Sequence, residues 1–274
     1  MKLFYPIFKF YINASIHVAF AVVSFVAITV FQFDLLVPPA LWVFIFFGTV
    51  TGYNFVKYAK IAGLHHRSLT DSLRSIQVFS LVCFSGLLVC CFFLSFQTLL
   101  VTALFGLFTF FYAVPFLRKK NLRTFSGIKI LIVAIVWAGV TVLAPMVEVN
   151  MSLTTDGWLA FLQRFLIVFV LTLPFEIRDL QYDVAHLKTI PQQIGIQKTK
   201  ILGIGFLMIA LVLEGFKDEI INTEIYGLLL LVLLVMVALL LARKKQSEYF
   251  ASFWVESIPI VGLCVLLVFR HFLT

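Results

Sequence analysis

The sequence predicts an all-α integral membrane protein of nine transmembrane helices, and three observations predict it. Hydrophobic residues make up 62% of the 274-residue chain and charged residues only 12%, with a mean hydropathy of +1.08, a balance outside that of water-soluble domains. The apolar residues fall in runs of about 17 to 22, the length that crosses a hydrocarbon core as a helix. None of the runs alternates apolar and polar positions as the strands of a membrane barrel do.

The spans are expected at residues 10–31, 40–57, 75–95, 97–116, 127–147, 157–175, 199–216, 224–242 and 252–272. The first reads as a mature helix rather than a signal peptide, because it is long, carries Asn13 and His17, and lacks a clear small-residue cleavage site. Ahead of it, Lys2 and Lys9 alternate with Phe4, Tyr5, Phe8 and Phe10, the pattern of an interfacial lead-in helix. The eighth span is Leu- and Val-rich throughout and reads as lipid-facing. Cys83, Cys90, Cys91 and Cys264 all fall inside spans, where they act as small apolar side chains and form neither a disulfide frame nor a metal cluster. With no long polar linker, residues 1–274 are read as one transmembrane helical domain.

Charge placement gives the expected topology. All but three of the 21 Lys and Arg lie before span one or after spans two, four, six and eight; Arg164, Lys217 and Arg270 are the exceptions. That asymmetry predicts a multi-pass protein of a bacterial inner (plasma) membrane with its N-terminus cytoplasmic and its C-terminus outside. The net charge of +8 therefore describes a basic inner face suited to anionic headgroups or a diphosphate, not to nucleic acid. Arg164 and Glu256 are the unusual charges within spans. Arg164 is expected to snorkel outward, and Glu256 to sit near the inner end of span nine.

The polar run from Phe175 to Gly195 carries the strongest chemical signal. Continued helix through Glu176, Asp179 and Asp183 aligns three carboxylates on one face over a rise of about 10 Å. Three crowded acceptors repel one another, and a hard divalent cation shared with phosphate oxygens relieves that repulsion. Arg178, Lys188, Lys198 and Lys200 lie close enough to serve the anion. From the residues alone a second reading stands beside this one, in which Arg178 pairs with the carboxylates at a solvated helix end.

The same run, Arg178-Asp179, then Asp183, then Lys188-Thr189-Ile190-Pro191 and Gly195, resembles the second aspartate-rich motif of the UbiA superfamily of intramembrane prenyltransferases, roughly DxRDxxxDxxxGxxTxPxxxG. Glu176 stands in place of the usual first Asp, and His186 or Leu187 where Gly is common. At the end of span two, Asn54 matches the first residue of the family's NxxxDxxxD motif, whereas Tyr58 and Ala62 replace its two Asp. After span four, Tyr112, Pro115 and the cluster Arg118 to Lys120 resemble the family's YxxPxxLK element. Polar motifs after spans two and six also fit an internally repeated bundle.

The resemblance implies a nine-helix UbiA-like bundle whose cavity opens toward the cytoplasmic leaflet. It implies transfer of an isoprenoid chain from a prenyl diphosphate to an aromatic or other lipophilic acceptor among the membrane lipids, the transfer of an alkyl group other than methyl. Asp179 and Asp183 would be the catalytic pair and, with Glu176, the Mg2+ ligands. Asn54, Lys57, Arg67, Tyr112, Lys119, Arg178 and Lys188 would contact the substrate. Because the first motif lacks carboxylates, two alternatives accompany this expectation: a terpene-cyclising enzyme of the same fold, and a non-catalytic membrane protein that binds an isoprenoid or another lipid. Lys57, three residues after Asn54, offers a fixed ammonium where the family places a metal ion. Between spans two and three, His65 and His66 are adjacent and diverge on a helix, so they are a poor metal pair, and Arg67 and Arg74 are the better phosphate contacts.

Overall fold

A computed structural model describes residues 4–58, 73–114, 127–181, 189–219 and 221–273. Among them it contains eight helices long and apolar enough to cross a membrane, together with a bent helix pair that supplies a ninth crossing. In chain order the elements are α1 (Phe4–Asn13), α2 (Ile16–Gln32), α3 (Pro39–Tyr58), α4 (Leu73–Cys90), α5 (Phe96–Ala113), α6 (Ile128–Ala138), α7 (Ala144–Glu148), α8 (Thr155–Asp179), α9 (Ile190–Ile194), α10 (Ile196–Glu214), α11 (Asn222–Leu241) and α12 (Ile258–Leu273). A five-residue π segment, Gly139–Leu143, joins α6 to α7 within one crossing, and a second, Phe250–Val255, leads into α12.

The sequence-expected spans match these crossings, with one difference. The first is not a continuous helix: α1 and α2 meet at 57°. No Gly or Pro marks the break. Instead Ser15 takes a left-handed conformation at φ +62°, which is costly for a residue with a side chain and needs surrounding contacts to hold it. Those contacts come from α3, where Asn54 and Lys57 both hydrogen-bond the Ser15 hydroxyl.

Helix α8 lies at the centre of the bundle and packs against α6, α10 and α11. Of its most apolar stretch 61% is buried, against 22% for α11, which distinguishes a core helix from a lipid-facing one of similar length. Leu166 to Leu171, Leu173 and Ile177 of α8 join Phe25, Leu41, Ile130, Trp137, Leu207 and Leu239 in the main core. Thr154 caps the helix by accepting a hydrogen bond from the Gly157 backbone N–H, and Asp156 in the first turn complements the helix dipole. Pro174 sits inside the last turns without ending the helix. Gly139 is required by close packing, because a Cβ there would lie 2.0 Å from the Phe105 ring.

Central burial also corrects the expectation for Arg164. The side chain does not snorkel. It is 5% exposed, with Nη1 donating to the Phe25 carbonyl at 2.8 Å and to Thr141 Oγ1 at 3.2 Å, and Nη2 donating to Thr29 Oγ1 at 3.4 Å. Its guanidinium stacks 4.2 Å above the Phe25 ring. Neighbouring helices surround α8 at this level, so the bundle interior supplies the acceptors that snorkelling would otherwise have sought.

Candidate active site

At one end of the bundle α3, α5 and α8 finish while α6 and the π segment before α12 begin, and there the polar residues converge. Lys129, in the first turn of α6, reaches the last turn of α8. Its Nζ lies 2.7 Å from Glu176 Oε1 and 3.4 Å from Asp179 Oδ2. Glu176 and Asp179 are three residues apart and therefore share the face that Lys129 meets. Arg178 completes the group, its Nη2 2.8 Å and its Nε 2.9 Å from Asp179 Oδ1, while its guanidinium sits 5.4 Å from the Phe175 ring. Both carboxylates are thus matched by cations of the chain itself.

The helix that was expected to continue through Asp183 ends at Asp179, with Leu180 as its cap and a turn closed by Gln181 N–H to the Arg178 carbonyl. Of the three carboxylates, Glu176 and Asp179 share the last described turn of α8. Asp183, like Arg67, Lys119 and Lys188, lies outside the described residues. Further along, Thr189 and Gln192 form a reciprocal capping box at the start of α9, and Gly195 takes φ +81° between α9 and α10. The Thr, Pro and Gly of the sequence motif thus build a turn that a bulkier residue at 195 would strain.

Across the same end, Asn54 is 3% exposed and fully engaged. Its Oδ1 accepts from Ser15 Oγ at 2.8 Å, and its Nδ2 donates to the Ala14 carbonyl at 3.0 Å and to Ser80 Oγ at 2.8 Å. Tyr58 donates to the Asn13 carbonyl at 2.9 Å, so α3 ties the α1–α2 break to α4. Lys57 Nζ donates to Ser15 Oγ at 2.8 Å and lies 5.9 Å from the centre of the Tyr53 ring. Tyr53 OH in turn accepts from Trp137 Nε1 at 2.8 Å.

Coulombic contacts join the two groups. Glu256, just past the π segment, acts on both Lys57 and Arg178, and Lys57 and Arg178 act on each other. Tyr112, at the end of α5, is buried at the same end of the bundle. Asn54, Lys57, Tyr112, Glu176, Arg178 and Asp179 all lie at this end of the bundle. Beside them the structure sets Lys129, Glu256, Tyr53 and Trp137, which sequence reading left out of the site. A basic residue just inside an apolar run, and an acidic one within a span, are the signals that point to Lys129 and Glu256.

Among the described residues no three His, Cys, Asp or Glu side chains come together as a metal site, and Glu176 and Asp179 already contact Lys129. The arrangement thus sets three cations, Lys57, Lys129 and Arg178, beside three carboxylates, Glu176, Asp179 and Glu256.

Neither protein-family models nor curated proteins match this sequence. Solved structures do. A UbiA homolog from Aeropyrum pernix K1 superposes with a TM-score of 0.65 at 16% identity, covering 93% of this chain and 98% of that one. A UbiA homolog from Archaeoglobus fulgidus bound to GPP and Mg2+ gives 0.63 at 10% identity over 95% and 98%. The chain has the fold of the UbiA homologs. A structure of digeranylgeranylglyceryl phosphate synthase shares this UbiA-type fold at a TM-score of 0.57 and 18% identity over 95% and 97%. The fold thus agrees over nearly the whole chain at identities too low to carry residue roles.

Proposed function

We propose that this chain is a divergent UbiA-superfamily prenyltransferase that moves an isoprenoid chain from a prenyl diphosphate to an aromatic or other lipophilic acceptor. The observation that carries the reading is the convergence of Lys57, Lys129 and Arg178 at one end of the UbiA-type bundle, beside Glu176 and Asp179. In that fold, Archaeoglobus fulgidus homologs have been solved with GPP or DMAPP and Mg2+.

On this reading the cations hold the diphosphate and stabilise the charge that grows on it as the C–O bond to the allylic carbon breaks. The allylic cation left behind is stabilised by aromatic faces, for which Tyr53, 5.9 Å from Lys57 Nζ, and Trp137, packed edge to face against it at 6.5 Å, are candidates. The acceptor then forms the new bond to that carbon and releases a proton. Mg2+, when bound, would be held by Asp179 and Asp183 and would add charge neutralisation. The bundle lies in the membrane with the site on the cytoplasmic leaflet, the N-terminus inside and the C-terminus outside.

One observation favours a second reading. Asn54, Glu176 and Asp179 are all engaged within the protein, as they would be in a non-catalytic isoprenoid-binding descendant of the fold. Incubating purified protein with geranylgeranyl diphosphate, with and without magnesium and a panel of aromatic and lipid acceptors, separates the two. Pyrophosphate release that depends on an acceptor supports transfer, release without an acceptor supports cyclisation or hydrolysis, and binding without release leaves the non-catalytic reading.

A further inference from the structure

The opposite end of the bundle holds a second polar feature, independent of the diphosphate reading. A cavity of about 60 Å³ opens between α2, α8, α10, α11 and α12, and its lining includes Gln163, Arg164, Glu214, Lys217 and Glu224. That volume admits several waters or one small acid group. Arg164 is more than nine-tenths buried, and among the described residues it has no carboxylate partner. A buried guanidinium without a counter-charge is costly in a membrane interior, and such residues mark binding sites or ion pathways.

The neighbouring charges do not answer it. Glu214 Oε2 is held by Lys217 Nζ at 2.6 Å and by Gln163 Nε2 at 2.8 Å, and Gln163 also donates to the Ala210 carbonyl. Glu224, in the first turn of α11, lines the same cavity but forms no ion pair with Arg164 among the described residues. Three of the five guanidinium hydrogens of Arg164 meet Phe25, Thr29 and Thr141. The Nε–H and one Nη2–H remain without a described partner, on neighbouring nitrogens along one edge of the planar group.

We propose that this cavity binds a carboxylate, held by two hydrogen bonds from that edge of Arg164. Two oxygens match two adjacent N–H groups in a way that a halide does not, and charge-assisted pairing is strongest where water is excluded. The cavity takes the acid group, and Ile167, Leu228, Leu231 and Leu266 on its wall suit the first methylenes of a fatty acid such as octanoate, whose chain extends past the cavity. The acid can arrive free from water or as an amphiphile from the bilayer, and the test distinguishes these.

The full-length protein is placed in phosphatidylcholine nanodiscs with ¹⁵N-guanidino arginine, and [1-¹³C]acetate or [1-¹³C]octanoate is added. Carbon–nitrogen dipolar coupling by solid-state NMR, together with a rise in Tm, is expected for octanoate. Coupling to acetate as well would place the source in water; coupling to octanoate alone would place it in the bilayer. In Arg164→Met the octanoate-induced rise in Tm is expected to vanish, and in Arg164→Lys, which keeps the charge but not the two-pronged geometry, binding is expected to weaken about tenfold. Absence of coupling to either acid in the wild type overturns the proposal. So does an octanoate affinity in Arg164→Lys equal to that of the wild type, a comparison that stands even if Arg164→Met does not assemble.

Discussion

Lys129 Nζ lies 2.7 Å from Glu176 Oε1, joining the first turn of α6 to the last turn of α8, and the carboxylate it meets is 2% exposed. This contact sets two helices against each other where the polar residues gather. The Lys129 side chain is 36% exposed, but removing it leaves the buried Glu176 carboxylate without compensation, whereas replacing both removes the desolvation cost as well. Lys129→Met is therefore expected to destabilise the protein by about 3 kcal/mol, and Lys129→Met with Glu176→Leu to recover most of the loss. Thermal unfolding in detergent measures both. A double variant no more stable than the single one would mean that the pair is not an isolated unit.

Asn54 offers a separate test of the α1–α2 break. It makes three hydrogen bonds, to Ser15, Ala14 and Ser80, in a site sealed from solvent. Truncation to Ala leaves the Ala14 carbonyl without its donor and weakens the hold on a residue at positive φ. The expected loss for Asn54→Ala is about 2 to 3 kcal/mol. Ser15→Gly relieves the backbone strain but gives up the hydroxyl that Lys57 and Asn54 share, so it is expected to be the milder change. Equal thermal stability of wild type and Asn54→Ala would show that the cluster is not what holds the break.

The crossings among the described residues were legible because each depends on one quantity, apolar length, that the sequence states directly. The break at Ser15 was not, since no Gly or Pro announces it and the residues that stabilise it lie some forty positions away in α3. Glu176 and Asp179 were legible as neighbours by their spacing of three. Their partner Lys129 was not, because nothing local links α6 to α8, and a Lys at the end of a span reads first as a topology signal. Arg164 misled for a related reason. Long side chains near a helix end reach outward only if the helix is exposed, and which helix occupies the centre depends on packing of the whole bundle.

Orientation in the membrane rests on the distribution of Lys and Arg and can be read with reporters. Because all but three of these residues fall on one set of loops, the end carrying Lys57, Lys129 and Arg178 is expected to face the cytoplasm. Alkaline phosphatase fused after Thr274 should be active and a cytoplasmic reporter at the same point inactive, with the reverse result for fusions in the segment between α5 and α6. An inactive phosphatase at the C-terminus would invert the bundle and move the cationic end outside.

The most discriminating functional test concerns which positive charge holds a prenyl diphosphate. Lys129 already bridges the two described carboxylates of the second motif, and Lys57 stands where the first motif has lost its acidic residues, so the chain carries fixed ammonium groups near both positions. If these groups hold the ligand, removing divalent metal should weaken binding about tenfold without abolishing it. Geranylgeranyl diphosphate is titrated into the wild type, Lys57→Ala and Asp179→Asn, each with EDTA and with magnesium. Lys57→Ala is expected to bind about tenfold more weakly in both conditions. Asp179→Asn is expected to lose the magnesium-dependent increment while keeping the metal-free affinity, because the exchange removes charge at nearly constant shape. Binding that vanishes in EDTA would assign the ligand to a metal ion alone. Equal affinity of wild type and Lys57→Ala in both conditions would free Lys57 from any part in the site and leave its hydrogen bond to Ser15 as its whole role.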